Sequence, residues 1–294
     1  MNQENECPIS GLVGFLHLNN IPHYVDFLAT VWIAFALLSI NLFIDSSLKR
    51  VVVSWLCKQA PAEKLRAVDA SDFFDNAYLA VVSTVLGALC WTITIAFNDQ
   101  CTPWSSNHCL ESWPNQKALP IQRLYFIVSF QFYLCEVMGT ALGSGAALKQ
   151  DMMVHHAAVM TCMCLGYHFH FLRYGIMWMG LFDISNPLLH FSKMLHALKM
   201  IPSTRIYKKT AFISFTSVFF VARVLCPPLS VLKPAMHSVF HLLPVHWAAF
   251  FVGSMLFIYG LQVYWFVKIV DVWKKQFPAS KAAVMFVPCK SHLS

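Results

Sequence analysis

Seven apolar stretches, each long enough to cross a bilayer, constrain the fold of this chain more than any other feature. A membrane-spanning helix needs about 20 mostly apolar residues. The stretches cover residues 24–44, 77–97, 121–143, 152–172, 175–198, 207–232 and 246–270. The chain is 57% hydrophobic and only 12% charged, which leaves too little polar surface for a soluble globule. The sequence therefore predicts an all-α fold, a polytopic membrane bundle of about seven transmembrane helices.

Basic residues predict the orientation of the spans. Lysines and arginines follow the first, fifth and seventh stretches, within residues 49–66, 199–209 and 274–281. Cytosolic loops carry such an excess, so we expect these segments in the cytosol, and residues 98–120 with the N-terminus on the opposite side. Residues 1–20 lack the basic start and cleavage site of a signal peptide, so we expect the first stretch to be a retained span. No basic stripe with interleaved aromatics occurs in the sequence, so no nucleic acid is expected as a partner.

Cys101 and Cys109 differ from most of the other cysteines. The chain has ten cysteines, and most lie in apolar stretches, where a thiol is usually a small hydrophobic group. These two lie close together in the loop 98–120. If that side of the membrane is oxidising, we expect a disulfide between them that staples the loop.

Two adjacent histidines, His155 and His156, lie inside the fourth apolar stretch. Ionisable groups are costly within a membrane, so each is a functional group or a paired structural one. Successive helical residues point about 100° apart, so the two rings cannot face the same point. One ring is expected to react and the other to position it. The alternative is a pair of core histidines with satisfied hydrogen bonds.

The fifth stretch, residues 175–198, carries a polar stripe. Asp183, Asn186, His190 and Lys193 lie three, four and three residues apart. This spacing places them within an arc of about 80° on one helical face. The stripe cannot face lipid, so it either lines a cavity or pairs with neighbouring spans. The fourth stretch is the expected neighbour, and Asp183 is then the expected partner that fixes a histidine tautomer.

Glu136 in the third stretch, after Tyr133, and Arg223 in the sixth are two further ionisable residues within spans. A buried salt bridge between them is one interpretation. The other is that Arg223 binds an acidic head group. Aromatic residues near the end of the last stretch are expected to be interfacial anchors. They are Tyr264, Trp265 and Trp273.

Four segments resemble the TLC-domain membrane proteins, and within that superfamily the ceramide synthases (sphingosine N-acyltransferases). They are C-L-E-S-W-P-N-Q at 109–116, K-Q-D-M-M-V-H-H at 149–156, D-I-S-N-P-L-L-H-F-S-K-M at 183–194 and L-Q-V-Y-W-F at 261–266. The resemblance implies a TLC domain over residues 72–275, with a six-helix core around an intramembrane cavity. Residues 1–71 would form a luminal segment, the first transmembrane helix and a basic cytosolic loop. Residues 276–294 would form a cytosolic tail.

The resemblance implies a multi-pass enzyme of the endoplasmic reticulum that transfers a fatty acyl group from acyl-CoA to a sphingoid base amine, in sphingolipid synthesis. Acyl-CoA would be a co-substrate with no further cofactor, lipids and the membrane would be the partners, and a homodimer is compatible. His155 or His156 would act as nucleophile, forming an acyl-imidazole, or as base. Asp183 would orient that ring, and Asn186 would donate to the developing oxyanion. The expected substrate-binding residues are Tyr133, Glu136, His190, Lys193 and Arg223.

The fifth-stretch motif leaves a second function open. Ceramide synthases carry His-Asp, then a second Asp, then Leu-Glu, whereas this chain has Phe182-Asp183, then Asn186, then Leu189-His190. The alternative is a non-catalytic TLC protein that binds a lipid in the same cavity and serves lipid homeostasis.

A metal site is a third alternative, because His155, His156, Asp183 and His190 are suitable zinc ligands. The clustered H-x-x-H-H boxes of membrane di-iron oxygenases are absent from the sequence. The expectation is therefore that the site holds no metal.

Overall fold

The computed structural model describes residues 24–59, 67–197 and 205–276, and it confirms the all-α prediction for them, with no strand in these ranges. Ten α-helices follow one another in this part of the chain. They are α1 (Tyr24–Phe43), α2 (Lys49–Gln59), α3 (Ala67–Ala96), α4 (Pro120–Leu142), α5 (Gln150–His168), α6 (Leu172–Asp183), α7 (Asn186–Ala197), α8 (Arg205–Phe219), α9 (Lys233–Leu242) and α10 (Val245–Gln276).

Five helical segments are long and apolar enough to cross a membrane. They are Leu28–Lys58, Asp69–Ala96, Pro120–Leu142, Ile206–Leu242 and Val245–Lys275. The other two predicted spans correspond to α5 and to the pair α6 and α7, which are more polar or shorter. They pack among the long helices, α5 against α4 and α10, α6 against α3 and α4, and α7 against α3 and α8. The molecule is therefore a polytopic membrane bundle, as the sequence predicts.

The sixth predicted span is longer in the structure than in the prediction. Residues 207–232 were expected to form it, but one helical segment runs over Ile206–Leu242, through Pro227 and Pro228. Proline lacks the N–H that an α-helix needs and clashes with the carbonyl four residues earlier. Two π-helical segments, Phe220–Leu225 and Pro228–Leu232, adjoin these prolines. A π-helical turn widens the helix locally and shifts its backbone hydrogen bonds, so the helix continues past the prolines instead of ending.

Helix α6 lies at the centre of the bundle. Ten of its twelve residues are buried, among them Tyr174, Ile176 and Met177, which are 0 or 1% exposed. A helix that is apolar all round is stable only when it is surrounded. Large apolar side chains on the outer helices instead face outwards, such as Trp32, which is 71% exposed, and Val81, which is 65% exposed. That surface suits contact with lipid.

The loop between α3 and α4 closes one end of the bundle. A disulfide joins Cys101 and Cys109, the two cysteines that the sequence analysis pairs, with Cα atoms 4.5 Å apart. The indole N–H of Trp113 donates to the backbone oxygen of Phe169 at 2.7 Å, in the connection between α5 and α6. The loop therefore binds the α5–α6 connection at the same end of the molecule.

We expect this loop to face the lumen and the loop between α4 and α5 to face the cytosol. The two loops lie at opposite ends of α4. This helix has 23 residues, so its length is about equal to the thickness of the hydrocarbon core. Cysteines introduced at the exposed positions Lys117 and Ala147 test this with a membrane-impermeant maleimide in sealed vesicles whose cytosolic face is outside. Ala147→Cys should be labelled at once, and Lys117→Cys only after permeabilisation. Labelling of Lys117→Cys in intact vesicles, above the unsubstituted protein, would contradict this orientation.

Candidate functional site

His156 on α5 and Glu136 on α4 form a polar pair inside the bundle. Nε2 of His156 lies 2.8 Å from Oε2 of Glu136, and Nδ1 of His156 lies 2.8 Å from the backbone oxygen of Met152. A carbonyl oxygen only accepts hydrogen bonds, so Nδ1 carries a proton. Nε2 and Glu136 then share a second proton, as imidazolium and carboxylate or as imidazole and carboxylic acid. Both ring nitrogens of His156 are therefore occupied.

His155 points to another part of the bundle, as the 100° turn between successive helical residues requires. Its ring meets the ring of Trp265 edge-on, with centroids 5.0 Å apart, and that of His156 with centroids 5.8 Å apart. His155 is only 4% exposed, and its Nδ1 has no hydrogen-bond partner among the described residues. A buried polar atom without a partner is costly, and a role in catalysis is one explanation for it. His155 therefore differs from His156 in having a ring nitrogen that is free to react.

Trp265 holds His155 in place. Its indole N–H donates to Oδ2 of Asp151 at 3.1 Å, which fixes the ring that packs on His155. Asp151 also accepts from Lys268 at 3.4 Å. Trp265 was expected to be an interfacial anchor. That expectation did not include its contact with His155. Hydropathy indicates how deep in the membrane a residue lies, but not the direction in which its side chain points.

Asp183 does not contact either histidine in the structure. It ends α6, and its two carboxylate oxygens accept from the hydroxyl of Tyr125 at 3.2 Å and from the amide of Asn186 at 3.1 Å. The expected contact between Asp183 and a histidine is therefore not formed. Glu136 is the carboxylate beside His156 instead.

The helix breaks after Asp183. Proline at position 187 cannot donate to the carbonyl four residues earlier, which is that of Asp183, so the ladder is interrupted. Helix α7 starts anew at Asn186. The prediction that four polar residues lie on one helical face assumes a continuous helix. It is therefore wrong across the break.

Arg223 binds at this break. Its Nε and Nη2 donate to the backbone oxygen of Phe182 at 3.1 and 2.6 Å, and Nη1 donates to Oε1 of Gln262 at 3.2 Å. Nη2 also donates to Oδ1 of Asn186. The guanidinium lies over the rings of Phe182 and Phe219, 5.4 and 5.1 Å from their centroids. A planar fork of donors suits such a set of acceptors.

These contacts change the expected roles of two residues. The salt bridge between Arg223 and Glu136 is not formed among the described residues, because the guanidinium turns to the break in the fifth span. Asn186 bridges Asp183 and Arg223 through its amide nitrogen and oxygen, respectively. Asn186 is thus a structural relay, and one of its two amide N–H groups is already used.

His190 and Lys193 lie on α7, away from the two histidines of α5. Nδ1 of His190 lies 3.2 Å from Oδ1 of Asn76 on α3, and Lys193 is exposed. The polar stripe therefore pairs with neighbouring spans, as one of the two interpretations requires. The neighbours are α3 for His190, α4 for Asp183 and the sixth span for Asn186, rather than the expected α5.

Two cavities lie on either side of the pair His156–Glu136. The apolar cavity lies between α4, α5, α6 and α10, and its empty volume is about 510 Å³ when the open space at its mouth is included. Its wall is almost entirely apolar and includes Tyr133, whose ring meets His156 edge-on at 5.0 Å. Val159, one turn after His155 on α5, also lines it. The two histidines therefore lie next to residues of the cavity wall rather than in it, and that wall suits a hydrocarbon chain.

The second cavity, which we name the α1 cavity, has an empty volume of about 630 Å³ when the open space at its mouth is included. It lies between α1, α3, α4 and residues 144–146, and Glu136 is part of its wall. Glu136 therefore contacts His156 on one side and faces the α1 cavity on the other, with 20% of its side chain exposed. No group of three histidine, cysteine or acidic side chains that could hold a metal ion occurs in the described ranges.

The sequence predicts no role for Tyr125 and Gln262, and it predicts a different one for Trp265. Gln262 and Trp265 belong to L-Q-V-Y-W-F, the segment at 261–266 that resembles the TLC-domain proteins. A glutamine inside an apolar span is itself a signal, because a buried amide needs a partner. Tyr125 carries no comparable signal.

Comparison with known proteins agrees with this architecture. The family model described as TRAM_LAG1_CLN8: TLC domain matches residues 73–271, which is more than half of the chain. The chain therefore belongs to the TLC domain family, and the resemblance drawn from its sequence is confirmed.

Three curated relatives are named for sphingolipid enzymes. Ceramide synthase 3 of Mus musculus is 29% identical over 171 residues, which are 55% of this chain and 42% of that protein. Ceramide synthase 4 of Homo sapiens is 24% identical over 166 residues, 55% of this chain and 40% of that protein. Sphingosine N-acyltransferase lag1 of Schizosaccharomyces pombe is 29% identical over 109 residues, 37% of this chain and 28% of that protein. The chain thus matches less than half the length of each.

Proposed function

We propose that this protein is a membrane N-acyltransferase of the endoplasmic reticulum, which transfers an acyl group from acyl-CoA to the amine of a long-chain sphingoid base. The observation that carries the proposal is the free Nδ1 of the buried His155, beside a paired His156 and one turn from Val159 in the wall of the apolar cavity. The names of the curated relatives supply the substrate class.

The first half of the reaction would occur at His155. Its free ring nitrogen attacks the thioester carbonyl, a C–N bond forms, and the C–S bond breaks to leave an acyl-imidazole. The departing thiolate takes up the proton shared by His156 and Glu136 and leaves as the CoA thiol. An unpaired nitrogen in a dry site is well suited to this attack, because no hydrogen bond has to be broken first.

In the second half, the amine attacks the acyl-imidazole. The amide C–N bond forms, the bond to His155 breaks, and the pair His156–Glu136 recovers its proton from the amine. The sum is acyl-CoA and a neutral amine giving an amide and the CoA thiol, with one proton released if the amine arrives as an ammonium ion. The pair would thus act first as acid and then as base. Holding both reactants in one site lowers the entropic part of the barrier.

The direct test is incubation of the purified protein with acyl-CoA, with and without long-chain amines, followed by mass spectrometry of lipid and protein. We expect an amide product, and with acyl-CoA alone an acyl adduct on the peptide that contains His155. A protein that forms neither, yet co-purifies with lipid, would contradict the enzyme proposal. It would favour the second candidate, a non-catalytic lipid-binding protein.

Asn186 favours this second candidate, because ceramide synthases carry an aspartate at the corresponding position. We expect Asn186→Asp to keep the protein folded and active, since the new carboxylate exchanges the bond to Asp183 for an ion pair with Arg223. Asn186→Leu removes both contacts, and the groups left without partners should cost about 1–3 kcal/mol of stability. Turnover and thermal unfolding of the three proteins are compared. A lipid-binding protein would instead lose bound lipid in Asn186→Asp, because a charge is added beside its cavity.

A further inference from the structure

The α1 cavity has the lining that an amphipathic ligand needs. Apolar side chains cover one part of its wall, among them Leu38 on α1 and Phe74 on α3. Polar groups cover another part, and they come from both the N-terminal helix and the core. They are Asn41, Asp45, Asp75, Tyr78, Glu136 and Ser144. An alkyl chain and a polar head can therefore be held at the same time.

The polar part of this cavity carries an excess of negative charge. Lys49 lies 3.2 Å from Asp45 and 2.8 Å from Asp75, so one ammonium serves two carboxylates. The proton shared by His156 and Glu136 makes that pair neutral as a whole. Among these five side chains one negative charge then remains, and they are partly shielded from water, where an unbalanced charge is costly. A cationic head group would balance it, and an anionic one would be repelled.

Glu136 connects the α1 cavity with the reacting groups. It contacts His156 at 2.8 Å and forms part of the cavity wall. Tyr133, one turn earlier on α4, lines the apolar cavity instead. The two cavities therefore approach the same pair from different sides, as two substrates of one transfer reaction would.

We propose that the α1 cavity binds the long-chain amine, with its ammonium group beside Asp45, Asp75 and Glu136 and its alkyl chain against the apolar wall. This inference rests on the proposed function, which supplies the reason why an amine would bind. The inference adds the place where the amine binds. Helix α1 precedes residues 73–271, which match the TLC domain. A helix outside the shared domain would thus help to select the amine.

The first test is photoaffinity labelling with a long-chain amine that carries a diazirine on its alkyl chain. We expect labelled peptides to include residues 38–45, at the end of α1 and just after it, and residues 74–79 of α3. An unlabelled long-chain amine should compete, whereas the alcohol with the same chain should compete at least about tenfold less well, since it lacks the charge. Equal competition by the alcohol, or labelling confined to α6 in the apolar cavity, would overturn the proposal.

The second test blocks the cavity at its rim. Ala146 is exposed and lines the α1 cavity, whereas the adjacent exposed Ala147 does not line it. Ala146→Trp should therefore raise the KM for the long-chain amine about tenfold or more, with the acyl adduct from acyl-CoA alone unchanged. Ala147→Trp is the matched control and should change neither. An unchanged KM in Ala146→Trp would count against the site.

The two proposals fail in different ways. If the wild-type protein forms neither adduct nor amide, but α1 and α3 are labelled by the amine, the acyltransferase proposal fails and the amine site stands. If amide is formed and labelling lies elsewhere, the reaction stands and the assignment of the α1 cavity is wrong.

Discussion

Replacing His155 with alanine is expected to abolish both acyl-adduct formation and amide synthesis while the protein stays folded. The ring makes edge contacts and its Nδ1 has no hydrogen-bond partner in the described part of the chain, so its loss breaks no polar network. Loss of a nucleophile lowers turnover by about 10⁴-fold or more. Intact-protein mass spectrometry after incubation with acyl-CoA measures the adduct, and amide yield measures turnover.

Comparison with His156→Ala separates the two histidines. This change removes the partner of Glu136 and with it the shared proton, so turnover should also be lost, but an acyl adduct on His155 should still form slowly. His168→Ala, on the exposed end of the same helix, is the control and should leave both readouts unchanged. A wild-type level of adduct in His155→Ala would contradict the assignment of the nucleophile.

Replacing Arg223 with methionine is expected to destabilise the protein by about 2–5 kcal/mol. Methionine fills a similar volume but has no donor, so the backbone oxygen of Phe182 and the side-chain oxygens of Asn186 and Gln262 lose the donors that Arg223 supplies. Thermal unfolding in detergent, followed by tryptophan fluorescence, measures the effect. Lys233→Met, at an exposed position in the same helical segment, is the matched control.

Arg223→Lys should recover only part of the lost stability. A single ammonium can replace the charge, but it cannot reach three acceptors in different directions as the guanidinium fork does. An unfolding temperature of Arg223→Met equal to that of the wild type would show that the contacts at the break contribute little.

The fold was predictable because span length and apolar composition determine it. A chain without enough polar surface must place its apolar stretches in lipid, and helices satisfy the backbone there. The two predicted spans that carry the histidines and the helix break differ from the five long spans, because α5 is more polar and α6 and α7 have only 12 residues each. They are stable in the structure because the longer helices surround them.

The pairing of polar groups within the bundle was not predictable in the same way. His155, His156, Glu136, Asp183 and Arg223 are all conspicuous in apolar stretches, and all lie inside the bundle. Which carboxylate meets which histidine depends on the rotation of each helix about its axis, which hydropathy does not report. The sequence is therefore equally consistent with two sets of pairs. In one, Asp183 pairs with a histidine and Glu136 with an arginine; the other is the set that the structure has.

Proline 187 is a signal that the sequence did contain. A proline within a span interrupts the ladder, so the polar stripe could not be treated as one continuous face. At the break, the carbonyl of Phe182 also accepts from a donor on another helix. That donor, Arg223, is far away in sequence, and no local pattern links the two.

The contact of Arg223 with the break between α6 and α7 has a consequence for biosynthesis. A guanidinium without acceptors is costly in lipid, and the backbone oxygen of Phe182 that accepts two of its hydrogen bonds is translated 41 residues earlier. The segment that carries Arg223 is therefore poorly suited to partition into lipid by itself as it leaves the ribosome. The segment from α6 to α7 should remain beside the translocon until Arg223 emerges, so that both segments enter the bilayer as one unit.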